Sequence, residues 1–290
     1  MSFASFFFPL TFGIGGAFKM RFSASSKGMR SSFSSVIRGF LAMPNPLSQV
    51  NNKAEVVFAK GAAEQRPLHC AQIIKTTSSW AMLESTVGVF FSKLLGAESE
   101  KGAAIFNALI SSSSQDAAFD AAASFVLGNE DKDALAAVRA ITRAPRDQRN
   151  QMAHGIWGHS PQMQDAILLM PPKLLVNFVE RSETYIEQAR AQTLSQSTPT
   201  PDLDKSQILV YRHTDFEFIQ GQISIAQTAW LNLKVAVFGG ISPFEPSREE
   251  ARHRLLALPD IRARINKARQ SRGELPLPPP EERPEGQTPQ

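Results

Sequence analysis

The chain reads as a mainly α-helical bundle with at most a short β-hairpin, flanked by disordered N- and C-terminal segments. Three observations carry that reading. Apolar residues recur at spacings of three and four over much of residues 79–265, the period of an amphipathic helix. Glycine, serine and proline punctuate these runs where helices should end. Only two stretches, 166–170 and 208–211, are short and apolar enough to read as strands.

Composition narrows the class. With 290 residues there is room for one large or two small domains, and 42% apolar with 20% charged residues is ordinary for a globular chain. Cys70 is the single cysteine, so a disulfide framework and a cysteine metal cluster are excluded, and a reducing, cytoplasmic location is expected. The net charge of +4 is unevenly placed. Residues 1–54 carry Lys19, Arg21, Lys27, Arg30, Arg38 and Lys53 and no acid. Removing those six from 31 basic residues leaves 25 against 27 acidic ones, a net −2 for residues 55–290. Any nucleic-acid site must therefore be a local patch.

The chain divides into four parts: 1–54, a disordered or mis-assigned extension; 55–192, a helical domain; 193–270, a linker and C-terminal helices packing on it; and 271–290, a Pro-rich disordered tail. The first part scatters phenylalanines among serines and glycines without period. Its opening lacks the leading positive charge of a secretory signal, although a Ser- and Arg-rich, acid-free start also resembles a transit peptide. The expectation is a start at Met43 or a disordered extension, with no membrane anchor.

From Ser79 the spacing of Trp80, Leu83, Val87, Phe91 and Leu94 predicts a helix ended by Gly96, with Glu84 as an edge or solvated carboxylate. The serine run at 111–114 splits the alanine-rich stretch 98–128 into two helices, because serine competes for backbone hydrogen bonds. Asn129 or Asp131 caps the next helix, whose buried face is Leu135, Val138 and Ile141. Trp157, Gly158, His159 and Pro161 read as a turn-rich connection. Residues 166–170 make a strand or continue a helix. Leu174, Leu175, Phe178, Tyr185 and Ile186 mark an amphipathic helix to about Gln192. After a loop at 193–205, residues 208–211 form a short strand that pairs with 166–170. The clearest helix carries Phe216, Ile219, Ile223, Ala226, Trp230, Leu233 and Val237, with Thr214 and Glu217 as a capping box and Gly239 as its stop. Its seam is expected to be intramolecular. Ser247 and Glu250 cap a further helix, and Asp260 starts a last, basic one.

The chemistry concentrates at Arg149, Asn150 and His154. Pro145 before them and Gly155 after them frame a short helix. On it Arg146, Asn150 and His154 share one face, and Arg149 can swing its guanidinium back toward the imidazole. A phosphate-reading cation, an amide and a group that titrates near neutrality then lie together. Arg139, Arg143 and Arg146 lead into this stretch, and Arg143 and Asp147 are spaced for an ion pair.

The Arg-Asn-x3-His pattern resembles the Arg-x(4–6)-His signature of HEPN-type domains, and the resemblance covers about residues 75–190. It implies an all-helical, dimeric module that cleaves RNA without metal or cofactor, with RNA, a second copy and a regulatory protein as partners. On that reading His154 moves a proton at the ribose 2′-hydroxyl or at the leaving oxygen. Arg149 stabilises charge on the phosphate, and Asn150 orients either one. Glu84, Arg143, Arg146, Trp157 and His159 then support the motif or contact RNA. The bland reading makes Trp157 a packing anchor and His159 a loop residue. The alternative function is a non-catalytic helical scaffold, with Arg149 and Asn150 satisfying a helix end and His154 bonded in the turn before Gly155. No phosphate-binding Gly-Lys loop, His-Glu-x-x-His or Gly-x-Ser-x-Gly sequence is present.

Overall fold

The computed structural model of the chain describes residues 44–109, 111–195, 198–240 and 242–278, which belong to one compact unit. The expectations for residues 1–43 and 279–290 lie outside the described residues.

The described residues form nine α-helices and four short strands. In chain order these are β1 (Asn45–Pro46), α1 (Leu47–Asn51), a 3₁₀ turn (Ala62–Gln65), α2 (Pro67–Leu94), α3 (Ser99–Ala108), α4 (Ser112–Val126) and α5 (Asn129–His154). There follow β2 (Ile156–Ser160), β3 (Met163–Met170), α6 (Pro172–Arg190), β4 (Leu209–Arg212), α7 (His213–Phe238), α8 (Arg248–Leu256) and α9 (Pro259–Ser271). The fold is mainly α, as the periodicity predicts. Its β component is larger than a hairpin: an antiparallel sheet in the order β1-β4-β3-β2.

The two expected strands do pair, with Ile167 opposite Tyr211 and Leu168 opposite Val210. The segment around Trp157 is strand β2 and not a turn, its Trp157 opposite Leu169. The boundary expected at residue 54 falls too late, since Asn45 and Pro46 pair with β4 and Leu47 is fully buried. The two faces of β3 enter different cores. Ile167 and Leu169 join the helical core; Ala166, Leu168 and Met170 pack with Leu47, Leu174, Ile208 and Val210.

α7 is the axis of the helical core. Its stripe from Phe216 through Leu233 is buried within the chain, so the seam is intramolecular, against α2, α5 and α8. At its centre the Trp230 ring lies 5.2 Å from Phe90 and 5.8 Å from Phe119, and the indole Nε1 donates to Thr142 Oγ1 of α5 at 3.1 Å. The capping expectation at its start is corrected by two residues toward the N-terminus, from Thr214 and Glu217 to Arg212 and Asp215. The Asp215 carboxylate, not Glu217, accepts the Arg212 N–H at 2.6 Å. Ser247 Oγ accepts the Glu250 N–H at 3.1 Å as expected.

α2 begins at Pro67, twelve residues before the periodic stripe. Its first turns lie over the sheet and carry polar residues that pattern reasoning passes over. Arg66, just before it, is buried and donates to the carbonyls of Ser160 (2.8 Å), Met163 and Ala166 (3.3 Å each). This guanidinium ties α2 to the β2–β3 hairpin.

Candidate functional site

α5 carries the Arg-Asn-His constellation, and the helix is long. Pro145 does not start it but is buried in its interior. Proline removes one rung of the hydrogen-bond ladder, and the packing of Val138, Thr142, Gln148 and Met152 on either side carries the helix through. Gly155 ends it, with its N–H on the Gln151 carbonyl at 2.8 Å. Its φ of −81° needs no glycine; the need is steric. A Cβ there would lie 2.3 Å from Leu169 Cδ1 and 2.9 Å from the Gln151 carbonyl oxygen. The helix end carrying His154 is thus pressed against the central strand.

Arg149 turns away from His154. Its Nη1 donates to Asn150 Oδ1 at 3.1 Å, and its Nη2 lies 3.7 Å from Glu84 Oε2 on α2. Glu84 is therefore not merely a solvated edge carboxylate: it faces the motif from the neighbouring helix. The pair is half-exposed, and such pairs contribute at most about 1 kcal/mol to stability, so its weight is in orientation. Arg149 Nε is buried without a hydrogen-bond partner among the described residues, and the adjacent Gln148 Oε1 is in the same state. His154 is exposed in the last turn of α5, and its imidazole makes no hydrogen bond or ion pair with any described residue.

The arginines that lead into the motif divide. Arg139 is neutralised from α4, 2.7 Å from Asp116 and also paired with Asp120, and its guanidinium lies over the Phe119 ring. Exposed Arg143 and half-buried Arg146 have no ion pair among the described residues, and the expected Arg143–Asp147 pair is not formed. Two unneutralised cations thus precede Arg149 on the same helix. At the opposite end of α5 the first-turn acids are all engaged: Glu130 and Asp131 by Arg252, and Asp133 by Arg272. The charge of α5 is local, as a net-negative ordered region requires.

Trp157 and His159 take structural places. The Trp157 indole Nε1 donates to the Met152 carbonyl at 3.2 Å, satisfying the α5 terminus, and its ring meets Tyr211 edge-on at 5.5 Å. It is a packing anchor. His159 lies in β2, not a loop, and its backbone exchanges hydrogen bonds with Val57. Its Nδ1 is buried without a partner among the described residues. Arg149, Asn150 and Glu84 are thus brought together, with His154 beyond them at the helix end. Two contributions are invisible to sequence pattern, the close contact at Gly155 and the clamp at Arg66. Gly155 stands next to the motif, where its sequence signal is that of a helix stop, and Arg66 carries no signal.

No family model, curated protein or solved structure matches the chain. No described helix is long and apolar enough to cross a membrane.

Proposed function

We propose that this protein is an endoribonuclease of the HEPN type that acts as a homodimer without metal. The observation that carries the reading is the freedom of His154. A histidine serving only the helix end would be hydrogen-bonded there, but Gly155 N–H and Trp157 Nε1 already take the Gln151 and Met152 carbonyls. The imidazole is exposed and has no structural work among the described residues. One to three turns back along the same helix are a guanidinium braced by Glu84 and Asn150 and two arginines with no ion pair among the described residues, groups that can engage a phosphodiester.

In the proposed reaction a base removes the proton from a ribose 2′-hydroxyl, and that oxygen attacks the adjacent phosphorus. The bond to the 5′-oxygen breaks, and an acid returns a proton to it. The products are a 2′,3′-cyclic phosphate and a 5′-hydroxyl. His154 serves as one proton-transfer group, and Arg149, with Arg146 behind it, stabilises the charge on the phosphate oxygens. One histidine supplies one of the two proton transfers, and a second copy across a twofold axis would bring the other.

The test incubates the full chain with mixed single-stranded RNA in EDTA and determines the product ends. Cyclic phosphates are expected from the wild type, with about 10²–10⁴-fold slower cleavage by a still-folded His154→Ala variant. Arg149→Lys should fall in the same direction, because a point charge replaces a planar fork. Equal cleavage by wild type and H154A assigns the activity to other residues. No cleavage by either overturns the enzyme and leaves the helical scaffold, in which Glu84, Arg149 and Asn150 join α2 to α5.

A further inference from the structure

The C-terminal segment does not leave the fold at residue 271. Gly273, with φ +75°, reverses the chain at the end of α9, and Arg272 holds the reversal by bonding Glu274 at 2.6 Å and Asp133 through two nitrogens. Residues 274–278 then run back along α9, where three side chains read their backbone. Arg269 Nε donates to the Leu275 carbonyl at 2.7 Å, Asn266 Oδ1 accepts the Leu277 N–H at 2.9 Å, and Arg262 Nη2 donates to the Leu277 carbonyl at 3.2 Å. Residues 262, 266 and 269 are spaced i, i+4, i+7 and form one stripe of α9. The adjoining stripe, Ile261 and Ile265, is buried in the core.

Leu277 packs against that core at the mouth of a cavity of about 190 Å³, floored by Leu233, Ala236, Leu255 and Ile265. The charged residues that line it are already paired, Arg252 with Glu130 and Asp131, Arg269 with Glu130 and Glu274, and Asp133 with Arg272 beside it. It offers no unmatched charge to a ligand, so a neutral, apolar side chain is what fits. Leu275, by contrast, is 82% exposed; only its carbonyl is used. Pro276 and Pro278 carry no N–H and hold the backbone extended, leaving the Leu277 amide as the donor that Asn266 reads.

From this arrangement the geometry points to a peptide-docking groove between α8 and α9 that takes a proline-flanked leucine in an extended chain. Its partner is a Leu-Pro-Leu-Pro-type segment of another protein, and the chain's own residues 274–278 are the resident competitor. The recognition mode is that of extended proline-rich ligands, in which main-chain bonds give affinity and one pocket gives specificity. A tethered tail occupies such a groove at high effective concentration, so an outside peptide gains access by displacement. This reading is independent of the activity at His154.

The probe is a fluorescein-labelled peptide Glu-Leu-Pro-Leu-Pro, titrated by anisotropy into the full wild-type chain and into full-length L277D, which expels the resident leucine. L277D is expected to bind at least about tenfold more tightly than wild type. Adding N266A and R262A to L277D should abolish binding, as should replacing the second leucine of the peptide by aspartate. A second measurement needs no variant: excess peptide should speed hydrogen exchange at the wild-type Leu277 amide by breaking its bond to Asn266. Failure of folded L277D to bind, or unchanged exchange at Leu277 under saturating peptide, overturns the groove. Binding that survives N266A and R262A places the peptide elsewhere and also overturns it.

Discussion

His69 shows how one residue reports on the packing of α2 against the sheet. Its imidazole is buried, 6.3 Å from the Phe216 ring, with Nε2 3.1 Å from the Asp165 carbonyl. Burial lowers its pKa below the ordinary 6.5, and the positive charges of Arg66 and His213 add to the effect against the opposing Asp165 carbonyl. The unfolded chain therefore binds a proton that the folded chain refuses, and stability rises with pH across that window. Wild-type urea midpoints should fall as pH drops from about 7.5 to about 5.5. His69→Gln keeps a donor for the Asp165 carbonyl and does not titrate, so its midpoints should fall less steeply. Equal slopes in the two proteins would show that His69 does not carry the dependence. Arg66 beside it makes the complementary point. A permanent cation is held in the interior by carbonyls alone, four of them with that of Gln65, and a lysine ammonium has only three protons to donate.

At the scale of elements, the junction between α5 and β2 is where fold and site meet. Gly155→Ala drives a methyl group into Leu169, a buried residue of the central strand, and into helix backbone. An overpacking cost of about 1–3 kcal/mol is expected, read as a lower melting temperature. Gly221 is the control within the same chain. It is exposed mid-helix in α7 with nothing within 4 Å of a new Cβ, so Gly221→Ala should stabilise by about 0.5–1 kcal/mol. A neutral Gly155→Ala would mean that the helix end yields and that His154 is not fixed by it. The two glycines also show what the sequence discloses. The stripe of α7 was legible because the apolar residues at its period are buried from Phe216 through Leu233, and the serine break between α3 and α4 because serine acts locally. β3 was ambiguous because it is buried on both faces and so loses alternation. β2 was hidden by Gly158 and His159, residues of turns whose places here are set by contact with Phe58 and Val57. The facing of Glu84 and Arg149 joins helices 65 positions apart, which no local period encodes. Residue types named the motif; tertiary packing alone decided which way Arg149 turned.

For the whole molecule, charge placement and the proposed dimer belong together. Arg252 of α8, Arg269 of α9 and Arg272 just after it neutralise the acidic start of α5, while Arg143 and Arg146 in its second half have no ion pair among the described residues. On the proposed reading, RNA at these arginines would be held by few contacts, so cleavage should weaken with salt only modestly compared with a broadly basic nuclease. If each cleft is built from two copies of the motif, activity depends on the partner's His154 as well. Wild-type chains held at constant concentration and equilibrated with increasing H154A chains should then lose activity, because mixed dimers replace wild-type ones. A monomeric site would be indifferent to the added chains, and cleavage would stay constant. Mixed dimers that retain full activity would show that one imidazole per cleft suffices. The second proton transfer would then fall to another group, and Glu84, the nearest carboxylate to the Arg149 guanidinium among the described ion pairs, would be the residue to replace next.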